Sequence, residues 1–187
     1  DALAKTSISP DVIQLIPSDD RDTVRALLQA RGKVDLVIPR GSANLIRTVI
    51  DESLVPTIET GAGVCHVYVD KDADLTKALP IVINSKTHRP SVCNAAETVL
   101  IHQDVSDSFA PVVIRELHDA GVRLHGDAKI QEYAKKLGVE VISAREEDWS
   151  TEYGILEMNL AIVPSLDAAS EHILKYGTQH TESIVTE

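Results

Sequence analysis

The sequence predicts an α/β protein, and three observations carry that prediction. Its apolar load, 43% of 187 residues, rests on Val, Ile, Leu and Ala, whereas Phe, Trp and Tyr supply only 3%. β-branched strands packed under Ala- and Leu-rich helices have that composition. Helix-period and strand-length apolar runs alternate along the chain, the pattern of parallel strands joined by crossover helices. Gly, Pro or Asp marks most of the changes between them. The length suffices for one substantial core, or for one and a half domains.

Each element follows from its residues. Ser18 to Ala30 reads as a helix, with Ser18 as N-cap, Val24, Leu27 and Leu28 at helical spacing, and Gly32 as the stop. Val34–Ile38 is a strand ending in Pro39-Arg40-Gly41-Ser42, and a second helix runs from about Ala43 to Glu52. Val64–Val69 is the next strand, after which Asp74 caps a helix near Leu75 to Lys86. Pro80 falls inside that helix, where its missing N–H and its clash with the preceding turn predict a kink or a late start. A turn bearing Cys93 leads into a strand from Glu97 to His102. Ser106–Ala120 is an amphipathic helix (Phe109, Val112, Val113, Leu117) closed by Gly121. Val122–Leu124 is a short strand, Asp127–Leu137 a helix closed by Gly138, and Val139–Ile142 a strand. Leu160–Val163, a helix from Leu166 to Tyr176 and a last strand over Ser183–Thr186 complete the pattern. The chain opens on Asp1 rather than Met and stops just past that strand, so a segment of something longer is expected.

Charge and cysteine usage narrow the function classes. A formal net charge of −11 argues against nucleic acid, because neutralising phosphates takes a basic surface. No apolar run approaches the ~18 residues of a membrane span, and no signal-peptide pattern opens the chain. Two widely separated cysteines fit reduced thiols rather than a disulfide framework. A soluble, cytoplasmic protein is the expectation.

The richest stretch for chemistry is Lys86-Thr87-His88-Arg89-Pro90-Ser91-Val92-Cys93-Asn94-Ala95-Ala96-Glu97-Thr98. It sets a cysteine after a proline turn, with three side chains that can carry positive charge just upstream. An ordinary thiol, with a pKa near ~8.5, is a few per cent thiolate at neutral pH, and nearby positive charge raises that fraction. Cys93 is therefore a candidate nucleophile, and a small buried hydrophobe is the alternative. Cys65, in the alternating run Val64-Cys65-His66-Val67-Tyr68-Val69, reads as packing. Cys65, His66, His88 and Cys93 show no tight ligand spacing, so no metal site is expected.

Four stretches carry a resemblance. They are Ile38-Pro39-Arg40-Gly41-Ser42, Gly63 to Asp70, Lys86 to Glu97 with its Arg-Pro-Ser-Val-Cys-Asn core, and Gly177-Thr178-Gln179-His180-Thr181-Glu182. In this order and spacing the chain resembles the gamma-glutamyl phosphate reductases of the aldehyde dehydrogenase superfamily. The resemblance implies an aldehyde dehydrogenase-like α/β fold with a mainly parallel sheet. Residues 1–57 would close a Rossmann-like NADP-binding domain, and residues 58–187 would form most of the thiol-bearing catalytic domain. It implies NADPH-dependent reduction of L-glutamate 5-phosphate to the 5-semialdehyde, in proline biosynthesis, through a thioester on Cys93. Arg89, Lys86, Ser91 and Asn94 are then expected at the substrate, the two cations favouring the thiolate or the leaving phosphate. Arg40, Gly41 and Ser42, at a strand-to-helix turn, and Glu157 are expected at the cofactor. Glu59 stands near the position of the superfamily's water-activating glutamate, one residue out of register, and is read as structural or cofactor-proximal. A homo-oligomer when full length and a functional association with glutamate 5-kinase complete what the resemblance implies. This fragment alone is expected to turn over poorly. Aldehyde oxidation, acyl-CoA reduction and a non-catalytic scaffold module remain the alternatives.

Overall fold

The computed structural model describes residues 2–18, 20–41, 43–58 and 61–187. The chain separates into two compact units, Asp1–Thr60 and Gly61–Glu187. Among the described residues no helix is long and apolar enough to cross a membrane.

Among its described residues the first unit holds two α-helices, α1 (Arg21–Leu28) and α2 (Ala43–Glu52), after two short 3-10 turns. Leu28, Ile46, Val49 and Val55 are its buried apolar residues, and Arg25 grips Glu52 through Nε at 2.9 Å and Nη2 at 3.0 Å. α1 is shorter than the sequence predicts. Asp20 is its cap, accepting from the Asp22 N–H, while Ser18 Oγ accepts from the Asp20 N–H one step earlier. The expected strand Val34–Ile38 appears only as two isolated parallel bridges, Val34 to Arg31 and Val37 to Thr57. A strand exists through its ladder, and isolated bridges do not make one.

The second unit is a single sheet of six strands among the described residues, ordered β4-β3-β5-β2-β1-β6, with every pairing parallel. In chain order these are β1 (Cys65–Val69), β2 (Ala96–His102), β3 (Arg123–Gly126), β4 (Ile142–Ser143), β5 (Glu157–Val163) and β6 (Glu182–Val185). The helices are α3 (Leu75–Thr87), α4 (Gln103–Asp119), α5 (Ala128–Leu137) and α6 (Leu166–Tyr176). Alternation divides the strands between two cores. Val67, Val69, Val99, Ile101, Leu160 and Ile162 join Phe109, Val113 and Ile114 of α4 on one face. Tyr68, Leu100, Ala161 and Val163 meet Ala169 of α6 on the other. β1 and β2 are buried throughout, as parallel strands covered on both faces must be.

The boundaries differ from expectation in instructive ways. α3 does not start late. Asp74 accepts from the Thr76 N–H, and Pro80 sits inside an otherwise continuous helix. α4 begins at Gln103, because the His102 ring accepts from the Asp104 N–H at 3.1 Å and caps three residues that look like loop. β5 starts at Glu157 rather than Leu160, and the strand expected at Val139–Ile142 is the short β4 at Ile142–Ser143. Val139 and Val141 instead pack side-on against the larger core. At the carboxyl end of the sheet, Asp127 caps α5 by accepting from the Ile130 N–H at 2.8 Å, and its second oxygen accepts from the Ile162 N–H at 2.8 Å. Tyr68 donates to Asp70 at 2.9 Å in the same region.

Candidate active site

Ligand crevices of open α/β sheets usually lie at the carboxyl ends of the strands. The thiol lies at the other end. Residues 88–95 link α3 to β2 and pass over the strand starts, and Cys93 is half-buried in them. Two tight turns shape this segment, with the Val92 N–H donating to the Arg89 carbonyl at 3.2 Å and the Ala95 N–H to the Val92 carbonyl at 3.0 Å. The segment leading into β1 runs beneath. The Cys65 thiol donates to the Cys93 carbonyl at 3.3 Å, and a Cβ at Gly63 would fall on that same oxygen. Only glycine permits so close an approach of two backbones.

The stretch around β6 completes this floor. The Val64 N–H donates to Thr178 Oγ1 at 3.1 Å, His180 Nδ1 lies 4.0 Å from the Cys65 sulfur, and Glu182 takes the His66 N–H at 2.9 Å. Three of the four stretches singled out in the sequence, up to 116 residues apart, thus meet around Cys65, directly beneath the Cys93 carbonyl. The fourth, at 38–42, belongs to the other unit. Cys65 itself is 2% exposed, and burial followed by the charge of Glu182 pushes its thiol up to about 11. It is a packing residue, as its alternating strand predicts, and Cys93 is the accessible one of the pair.

The cations separate. Arg89 is exposed, and no ion pair engages it among the described residues; Ser91 and Asn94 are exposed on the same turn. Lys86 is not on that surface. Its ammonium is buried and 2.6 Å from Glu97, with side-chain exposures of 0% and 1%. Burial is the leading influence on both, pushing Glu97 up to about 7 and Lys86 down, while each partner's charge pulls the other back. A Lys expected to face a substrate phosphate is therefore turned into the protein, because a buried carboxylate eleven residues on claims it.

Glu157, at the start of β5, belongs to a second buried polar chain at this end. Its Oε1 is 2.7 Å from His125 Nε2, whose Nδ1 is 3.3 Å from Asp148. Burial works to raise the Asp148 carboxyl, but bonds from Arg145 and the charge of His125 outweigh it and hold it below the usual range. Tyr153 donates to Asn159 at 2.9 Å, and Asn159 in turn donates to Thr98 at 3.2 Å and to the Asp148 carbonyl at 2.9 Å. Sequence reasoning missed His125, Asp148 and Asn159. The available signal was Asn159, a polar residue in the middle of an apolar strand. Arg40 is exposed and Gly41 takes φ +156° just before α2, while Ser42 and Glu59 lie outside the described residues.

A sequence profile of the aldehyde dehydrogenase family matches residues 1–131. The chain is 50% identical over 186 residues to the gamma-glutamyl phosphate reductase of Thermobifida fusca, covering 100% of this chain and 44% of that protein. It is 47% identical to the protein of the same name from Caldicellulosiruptor bescii, with the same coverage. The crystal structure of gamma-glutamyl phosphate reductase from Thermotoga maritima matches with a TM-score of 0.86 at 44% identity, over 100% of this chain and 44% of that one. A propionaldehyde dehydrogenase from Clostridium phytofermentans has a TM-score of 0.65 at 18% identity, over 89% of this chain and 45% of that one, and shares the fold. The chain thus spans less than half the length of the relatives it matches.

Proposed function

The chain belongs to the aldehyde dehydrogenase family, and from that premise we propose that it is the thiol-bearing part of an acyl-phosphate reductase. The reaction is reduction of L-glutamate 5-phosphate to L-glutamate 5-semialdehyde with release of inorganic phosphate. The observation that carries this reading is that the Cys93 turn sits on Gly63 and Cys65, and that residues 178–182 in turn bond this floor at Val64, Cys65 and His66. The names of relatives at about half identity supply the substrate.

The chemistry asked of this chain's own residues is limited. The Cys93 sulfur attacks the acyl carbon, the carbon–oxygen bond to phosphate breaks, and a thioester forms on Cys93. Arg89, exposed on the same turn, offers the leaving phosphate a two-pronged donor, with Ser91 and Asn94 as hydrogen-bonding neighbours. The Cys93 amide is the natural donor to the developing oxyanion. NADPH, when bound, supplies the two electrons that take the thioester to the aldehyde. The residues present fit such a group in two places. Glu157 has one carboxylate oxygen on His125 and a second for ribose hydroxyls. Arg40 and Gly41 precede α2, whose amino end favours phosphate. On this reading residues 1–57 close the cofactor domain and 58–187 carry the chemistry. A homo-oligomeric full-length protein, a functional association with glutamate 5-kinase and a cytoplasmic setting belong to the same reading.

The test is run on the full-length protein that carries this sequence. With the semialdehyde and NADP, the reverse reaction should require inorganic phosphate and disappear in Cys93→Ala. Activity that needs coenzyme A in place of phosphate, or that survives the loss of Cys93, would overturn the proposal.

A further inference from the structure

Resting on the reading of Cys93 as the reacting thiol, we propose that the buried Lys86–Glu97 pair is a positioning device that clasps the two stems of the Cys93 turn. Lys86 lies in the last turn of α3 and Glu97 is the second residue of β2. Residues 88–95, with exposed Arg89, Ser91 and Asn94 and half-buried Cys93, are what the clasp closes off. Its contact is 2.6 Å between two side chains with almost no exposed surface.

Stability alone does not explain this arrangement. Removing two charges from water is costly, and apolar side chains of similar volume hold a helix on a strand as well or better. An apolar contact lacks direction. A short charge-assisted hydrogen bond fixes distance and angle together. The second oxygen of Glu97 also accepts from the Gly154 N–H at 3.4 Å. The clasp therefore ties the thiol turn to the segment that leads into Glu157, the carboxylate assigned to the cofactor. Below the turn, the Cys65 thiol meets the Cys93 carbonyl, so the protection of Cys65 reports whether the turn is seated. The opposed influences on the pair, with Glu97 pushed up to about 7, leave the contact as a hydrogen bond whichever partner holds the proton.

The experiment compares the full-length chain with Lys86→Met/Glu97→Met, which replaces the pair by apolar side chains of similar length. Iodoacetamide labelling of Cys65 and Cys93 is followed by mass spectrometry, alongside thermal unfolding. The expected result is a folded variant in which Cys65 labels about tenfold faster through local opening, insensitive to low urea, with a changed Cys93 rate. Unchanged labelling of both thiols overturns the proposal. So does an acceleration of both that merely follows the loss of global stability. Should the double variant fail to fold, Glu97→Asp, which keeps the charge and shortens the reach, is read by the same criteria. A parent Cys93 that labels no faster than Cys65 counts against the nucleophile itself, and the clasp is then judged by Cys65 alone.

Discussion

The two ends of the same parallel sheet handle polar groups differently. At the carboxyl end they take backbone N–H groups or bond beside solvent: Asp127 takes the N–H groups of Ile130 and Ile162, the His102 ring takes that of Asp104, and Tyr68 donates to the partly exposed Asp70. At the amino end, side chains are buried against one another: Lys86 with Glu97, and His125 with Glu157 and Asp148. Capping is what any helix start requires. Burial of paired charges is a net cost that folding alone does not call for, and such groups cluster at working sites. The thiol stands at the end that carries that cost.

Substitutions can break this contrast, beginning with the largest effect. Removing one partner, as in Lys86→Ala or Glu97→Ala, should destabilise the fold by about 3–5 kcal/mol in urea unfolding, because a buried charge is left alone. The doubly apolar variant should lie within about 1 kcal/mol of the parent. Equal losses in the single and double variants would remove the distinction between the two ends. Next is Gly63→Ala, whose new methyl group falls on the Cys93 carbonyl. A cost of about 1–3 kcal/mol is expected, with faster labelling of Cys65 as the turn lifts.

A pH measurement sharpens the contrast on the α6 face. His172 packs edge-on to His66 and Trp149, and burial, then the neighbouring His66, lowers it to about 4. A pKa below its unfolded value gives stability that is present above about 6.5 and lost as pH falls through about 4. For a partly buried ring this is about 1–2 kcal/mol after solvent screening. Glu97 works the other way: raised to about 7, it favours the fold as pH falls toward its unfolded value. The two offset in the parent, so the slope should appear as a difference between the parent and His172→Gln in thermal unfolding from pH 7 to 4. Parallel curves would show that His172 is not the source. The smallest effect on the thiols is expected at the carboxyl end. Asp127→Ala should cost about 1–2 kcal/mol, for a lost cap and a lost acceptor of the Ile162 N–H, without altering the labelling of either cysteine.

The contrast also explains what the sequence makes legible. α5 and α6 are readable nearly to the residue because Asp127 and Ser165 cap them locally. The start of β5 is not, since Glu157 and Asn159 interrupt its apolar run for partners on other elements. The Cys93 turn and the stretches that meet beneath it are visible as motifs. The inward turn of Lys86 is not, because its cause is Glu97, eleven residues away on another element, and no local periodicity relates the two. In the first unit, the apolar run 34–38 predicts a strand, yet a strand is made by its neighbours.

One feature of the topology bears on synthesis. β1 sits inside the sheet, but one of its two neighbours is β6, which follows it by more than a hundred residues, with His66 opposite Glu182. On a ribosome adding ~5–20 residues per second, that side of β1 stays open for on the order of ten seconds after it emerges. Its unpaired edge, and the Cys65 thiol beside it, are exposed to chaperones, oxidants and neighbouring nascent chains until residues 182–185 arrive. A thiol that is 2% exposed once folded thus waits for a strand more than a hundred residues downstream to shelter it.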